Sequence, residues 1–315
     1  MDNRFPMTPD ITIVDVAPRD GLQNEGKRLP PQMRAELITR IEAAGVPRIE
    51  IGSFVNPGRV PQMAGMDDLC RRLNVSEKPI YTALVPNRKG YELAANAGLR
   101  HIRLAILASD ALNQANFNCT TETSYASFKT IAAAANTAGT PFGAIVGAAF
   151  GCPYEGAVPT TRVLDLAERI ADLGTDELIL ADTTGMAVPD QVAALCERMS
   201  AVLKNKPVTL GVHLHNTRNT GYANAYAALK AGVTCFDTAL GGIGGCPFAP
   251  RAVGNIATED LLHMLNGLGC RTQVELPALI DASAWLAQQL EKDLPALVGK
   301  AAPVFTRPIP ASWYS

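Results

Sequence analysis

A closed (β/α)8 barrel, an α/β fold of the TIM-barrel class, is what this sequence predicts, on three observations. Short apolar runs alternate with amphipathic stretches from one end to the other, several runs are apolar throughout, and no Ser/Gly or charged linker interrupts them. The strands read as Ile11–Val16, Arg48–Ile51, Ile80–Val85, His101–Ile106, Gly143–Ala149, Glu177–Ala181, Val208–His213 and Thr234–Ala239, which makes eight. They recur every few tens of residues, as strand–crossover–strand units do. Ala144-Ile145-Val146-Gly147-Ala148-Ala149 and Leu178-Ile179-Leu180 offer no polar face. Such strands must be covered on both sides, which means a parallel sheet. Helices are expected between them, at Pro31–Ala44, Ser124–Ala138, Thr161–Leu173 and Tyr222–Ala231 among others. Ala-Gly pairs close several of them, at Ala44-Gly45, Ala97-Gly98, Ala138-Gly139 and Ala231-Gly232, where glycine can take the left-handed conformation that ends a helix. The competing architecture, an open doubly wound sheet, usually carries a phosphate-binding glycine fingerprint after its first strand. Val16-Ala17-Pro18-Arg19-Asp20-Gly21 is not one. The barrel is expected to fill residues 1–300. Residues 301–315 hold three prolines with Val304, Phe305, Trp313 and Tyr314, and are expected to form an extended C-terminal arm.

Composition narrows the function. The chain has 315 residues, 47% hydrophobic and 18% charged, with a formal net charge of −2. No Lys/Arg cluster is long enough to track a phosphate backbone, so no nucleic-acid partner is expected. Met1-Asp2-Asn3-Arg4-Phe5-Pro6 lacks the apolar core of a signal peptide, and no apolar stretch approaches a membrane span. The seven cysteines are odd in number, scattered and without a CxxC pair. That argues against a disulfide framework or a structural zinc site and for a reducing, cytoplasmic setting.

The chemistry is expected at the C-terminal ends of the strands, where barrels carry their active sites. His213-Leu214-His215 ends the seventh strand, and i, i+2 side chains of a strand share a side, so both imidazoles can face one point. Arg19 and Asp20 follow the first strand, Glu50 sits near the end of the second, Asp182 follows the sixth, and Cys246 and Asn255 lie beyond the eighth. Asp20, His213 and His215, with an amide oxygen from Asn255, are natural ligands for a divalent cation such as Mg2+ or Mn2+. Arg19 reads either as a surface ion pair or as a clamp on a carboxylate or a developing enolate oxygen. Glu50 reads equally as a catalytic group or as an anchor for Arg19 or a histidine. Asp182 reads as a supporting residue. Gly241-Gly242-Ile243-Gly244-Gly245 is a flexible run that ends in Cys246, a thiol suited to proton transfer. Cys152, in Gly151-Cys152-Pro153-Tyr154, reads as structural.

Several runs resemble the 3-hydroxy-3-methylglutaryl-CoA lyase family. They are Pro18-Arg19-Asp20-Gly21-Leu22-Gln23-Asn24-Glu25, Ile49-Glu50 with Ser53-Phe54-Val55, Val60-Pro61-Gln62-Met63, Gly151-Cys152-Pro153-Tyr154-Glu155-Gly156, and Gly244-Gly245-Cys246-Pro247-Phe248-Ala249 followed by Gly254-Asn255-Ile256-Ala257-Thr258-Glu259-Asp260. The resemblance implies a (β/α)8 barrel, a divalent cation on Asp20, His213, His215 and Asn255, and cleavage of 3-hydroxy-3-methylglutaryl-CoA, or a close 3-hydroxy-acyl-CoA analogue, to acetyl-CoA and a ketoacid such as acetoacetate. It implies Arg19 as the electrophilic residue, Cys246 as the loop acid/base, an acyl-CoA substrate and a homodimer or higher homo-oligomer. The chain departs from the family pattern at Asn216-Thr217-Arg218-Asn219, at Ala181-Asp182-Thr183 and at Ser109-Asp110. These changes put the acyl group of the substrate in question; Arg218 reads either as meeting an additional carboxylate or polar group or as pointing to solvent or pairing with an acid on the next helix. The expected reaction is a retro-Claisen cleavage with His213 or Asp20 as base. A related Claisen-type synthase or aldolase is the alternative. A carboxyltransferase barrel would need a lysine at a strand end, and none of these strands ends in one. A non-catalytic scaffold would bind neither cation nor acyl-CoA.

Overall fold

The structure, a computed structural model, describes residues 9–78, 81–245 and 254–301. Its strands are β1 (Thr12–Asp15), β2 (Arg48–Ser53), β3 (Tyr81–Leu84), β4 (Ile102–Leu107), β5 (Phe142–Gly147), β6 (Glu177–Ala181), β7 (Thr209–His213) and β8 (Cys235–Thr238). They pair in sequence order, all parallel, and β8 returns to β1 to close the barrel. Each expected strand is present within two residues at either end. Ile80, the expected start of the third, lies outside the described residues, as does the expected arm beyond residue 301.

Around the barrel run α1 (Pro31–Ala43), α2 (Met66–Leu73), α3 (Arg88–Asn96), α4 (Asp110–Phe117), α5 (Thr121–Ala138), α6 (Thr160–Ala171), α7 (Pro189–Leu203), α8 (Gly221–Lys230), α9 (Thr258–Gly267) and α10 (Leu276–Leu290). Local chemistry sets several of their ends. The side chains of Asn87, Ser109 and Thr120 accept from the backbone N–H groups of Gly90, Leu112 and Thr123, so three helices begin with a first-turn donor satisfied. The four closing glycines all have positive φ, from 65° at Gly139 to 90° at Gly232. No helix among the described residues is long and apolar enough to cross a membrane. The six described cysteines are free.

Alternation along each strand separates two environments. On β4, Ile102, Leu104 and Ile106 are buried, while Ala105 and Leu107 line a cavity in the barrel mouth. Below that cavity the barrel interior is charged. Arg103 donates to both carboxylate oxygens of Asp237, at 2.9 Å each, and to Glu177, which also accepts from Arg48. Gly143 lies between Arg103 and Glu177 in the strand register, and a Cβ there would sit 3.1 Å from Glu177 Oε1. The glycine leaves room for the ion pair. Burying such charges costs desolvation, which their mutual pairing offsets.

Candidate active site

Arg19 and Asp20 are carried on a wide turn, Ala17–Gly21, that continues β1. The Val16 carbonyl accepts from the N–H groups of Arg19, Asp20 and Gly21 together, so the turn is more fixed than a loop. Gly21 is required by a close approach: a Cβ there would fall 2.6 Å from Ile243 Cγ1, in the glycine run after β8. Asn24 Nδ2 donates to the Gly245 carbonyl and ties the same two segments at the rim.

Arg19 is 7% exposed and is held from two sides. Its Nε donates to Glu50 Oε2 at 2.7 Å, and its Nη1 donates to Asp20 Oδ1. Of the two readings open for Glu50, the geometry is that of an anchor. Glu50 is fully buried, holds Arg19, and is not among the residues that line the cavity. Asp20 Oδ2 accepts from Asn255 Nδ2 at 2.9 Å and lies 3.8 Å from His213 Nε2. His213 Nε2 and His215 Nε2 are 3.1 Å apart. One strand end therefore presents both imidazoles to the Asp20 carboxylate, as the i, i+2 spacing predicts.

Asp20, His213 and His215 offer ligand atoms within 4.8 Å of one another. The donor set fits a divalent cation. Two imidazole nitrogens face each other beside a carboxylate, and Asn255 Oδ1 is buried without a hydrogen-bond partner. Burial works to raise the Asp20 carboxyl, but the charges of Arg19, His213 and His215 outweigh it and hold it at about 2. Burial and the neighbouring His213 push His215 down to about 4, so its ring is neutral and ready to ligate at neutral pH. Burial also pulls on His213, but the Asp237 hydrogen bond and the Asp20 charge hold it above the usual histidine value.

The cavity in the barrel mouth is lined by Arg19, Asp20, His213 and His215 on its charged side and by Leu84, Leu107 and Ile145 on its apolar side. Gly245 reaches it as well; Cys246, the next residue, lies outside the described residues. Asp182 accepts from the N–H groups of Met186 and Ala187 and shapes the loop after β6, a supporting part. Cys152 is buried, 2.9 Å from Ser109 Oγ, in keeping with its structural reading.

Arg218 sits on the rim and is exposed. It does not line the cavity; its Nη1 donates to the carbonyls of Thr184 and Gly185 at 2.9 and 2.8 Å. Five positions past the end of β7 the chain has turned outward, and Arg218 fastens one rim loop to the next.

Sequence reasoning missed Asp237, Arg103 and Glu177. Their signal was present: a charged residue at alternate positions of otherwise apolar strands, Cys235-Phe236-Asp237 and Ile102-Arg103-Leu104.

A closed parallel barrel with this cluster on its C-terminal rim defines a barrel enzyme with a candidate metal centre. The family described as HMGL-like matches residues 10–286, and the chain belongs to it. It is an acyl-CoA lyase of that family, an enzyme of the oxo-acid-lyase type. It is 58% identical over 315 residues to an (R)-citramalyl-CoA lyase of Chloroflexus aurantiacus, covering 96% of this chain and 98% of the relative. It is 42% identical over 281 residues to a hydroxymethylglutaryl-CoA lyase of Pseudomonas mevalonii, covering 89% and 92%. A solved HMG-CoA lyase from A. baumannii, in complex with coenzyme A and 3-methylmalate, superposes with a TM-score of 0.89 at 38% identity, over 96% of this chain and 98% of that one.

Proposed function

We propose that the chain cleaves (R)-citramalyl-CoA to acetyl-CoA and pyruvate. The reaction class rests on one observation: a buried arginine, fixed between two carboxylates, borders a cavity beside an Asp20–His213–His215 cluster. The acyl group is read from the likeness, which is much greater to the citramalyl-CoA lyase than to the HMG-CoA lyase.

A divalent cation, Mg2+ or Mn2+, held by Asp20, His213, His215 and the Asn255 amide oxygen, would supply polarisation of the substrate's hydroxyl and carboxylate oxygens. The base takes the proton of the tertiary hydroxyl. Asp20 and His213 are the two candidates; Asp20 is engaged by Arg19 and Asn255, and His213 by Asp237 through Nδ1. The carbon–carbon bond between the carbinol carbon and the methylene next to the thioester then breaks. Its electron pair passes into the thioester, giving the enolate of acetyl-CoA, and the carbinol becomes the ketone of pyruvate. Arg19, held rigid by Glu50, stabilises the negative charge as it develops. Cys246, one residue beyond the cavity-lining Gly245, delivers the proton to the enolate carbon.

HMG-CoA is the second reading, favoured by the runs that match HMG-CoA lyases across the barrel. The two acyl groups differ by one methylene, which a pocket discriminates by about 10–200-fold. The test is kcat/KM for both thioesters with product detection by mass spectrometry. Pyruvate released at least tenfold more efficiently than acetoacetate is the expected result. The reverse order makes the enzyme an HMG-CoA lyase, and no cleavage of either removes the reading.

A further inference from the structure

The barrel interior holds buried charges that the steps above do not use. In the strand register His213 of β7 lies directly beside Asp237 of β8. His213 Nδ1 is 3.2 Å from Asp237 Oδ2. Asp237 is 1% exposed and cannot turn away, because Arg103 grips both its oxygens at 2.9 Å. Arg103 is held in turn by Glu177, across the gap left by Gly143, and Glu177 by Arg48. A line of charges thus runs up the barrel axis and ends on one ring nitrogen. His215 differs: its Nδ1 is buried and has no hydrogen-bond partner among the described residues.

We propose that Asp237 is a positioning residue for the cation site, which fixes the His213 ring through Nδ1–H so that Nε2 is the nitrogen presented to the cation. The inference rests on the reading of His213 as a ligand. A carboxylate behind a ligating imidazole sets its tautomer and orientation and makes the facing nitrogen a better donor. Arg103 serves as the clamp that makes the carboxylate rigid, and His215 has no such carboxylate behind its Nδ1 among the described residues.

The competing role for Asp237 is that of counter-ion to Arg103, which would affect stability and leave cation binding untouched. Asp237→Asn separates the two. Free Mn2+ is followed by electron paramagnetic resonance during titration of the full-length wild type and the variant. The expected result is Mn2+ binding weakened about 10–100-fold in the variant, with kcat at saturating Mn2+ lowered less than the affinity. Equal Mn2+ affinity in the two proteins, with only a lower Tm in the variant, overturns the inference. Absence of Mn2+ binding by the wild type overturns both it and the metal reading beneath it. A second measurement needs no change at Asp237. In the Mg2+-loaded wild type labelled with 15N-histidine, His213 is identified by the loss of its signals in His213→Gln. Its ring proton is expected on Nδ1, hydrogen-bonded and slow to exchange. A proton on Nε2, or one on Nδ1 that exchanges freely with solvent, refutes the assignment.

Discussion

Arg19 Nε donates to Glu50 Oε2 at 2.7 Å, and this contact fixes a guanidinium at the edge of the cavity from beneath. The two residues have different predicted phenotypes. Arg19→Gln removes charge stabilisation made mainly in the transition state, and kcat is expected to fall by about 10²–10³ with little change in KM. Glu50→Gln keeps a hydrogen-bond acceptor under Nε but loses its charge, worth roughly 1.4 kcal/mol, so kcat is expected to fall about tenfold. Steady-state kinetics of both variants decide the matter. A Glu50→Gln enzyme as slow as Arg19→Gln would make Glu50 a participant in the chemistry and not an anchor.

The cation site makes a prediction that does not need substrate. A ligand that binds only the folded state stabilises it by about 2.7 kcal/mol at a concentration one hundred times its Kd. Mn2+ added to chelator-treated protein is expected to raise Tm in a concentration-dependent way and to restore turnover. In His215→Ala the thermal shift is expected to vanish. Its persistence at full size in that variant would show that the stabilising ion binds elsewhere.

Glu259 links the rim to pH. It is 1% exposed, and both its oxygens accept from the Gly241 N–H at the start of the glycine run. Burial pushes its carboxyl up from 4.5 to about 7, against the opposing effect of its hydrogen bonds. The folded protein therefore holds this proton more tightly than the unfolded chain. The stability it confers is fully present below pH 4.5 and is lost as pH rises through about 7. Asp15, raised by burial to about 6, acts with the same sign. Glu259→Gln cannot lose a proton, so its Tm is expected to change less than the wild type's between those two pH values, by an amount equivalent to at most about 3 kcal/mol. Parallel Tm–pH curves for the two proteins would refute the shift.

Much of this was legible in the sequence because the physics that sets it is local. The period of apolar runs located all eight strands, and the i, i+2 spacing alone brought His213 and His215 to one side. The rest depends on contacts made around the barrel. Asp237 meets His213 only because β8 pairs with β7 in one particular register, and Arg103 reaches Asp237 from the far side of the sheet. No window along the chain contains those relationships. Arg218 shows the opposite case. Its nearness in sequence to His215 suggested nearness to the cavity, but the backbone has already turned: Asn219, the next residue, has a φ of 59°.

Arg218 yields the last prediction. Its guanidinium joins the loop after β7 to the Thr184 and Gly185 carbonyls of the loop after β6, and those two loops also meet where a Cβ on Gly185 would fall 2.7 Å from Thr217 Cβ. Arg218→Tyr removes the two donated hydrogen bonds. Because Arg218 is exposed, water replaces them in part, and the cost is expected to stay near 1 kcal/mol, read as a drop in the denaturation midpoint. The ratio of kcat/KM for (R)-citramalyl-CoA to that for HMG-CoA is expected to remain within twofold of the wild type's, since nothing lining the cavity changes, a margin equal to about 0.4 kcal/mol. KM for both thioesters rises together if the joined loops help to close the mouth. A tenfold change in the ratio would return Arg218 to the acyl site and refute its role as a fastening between loops.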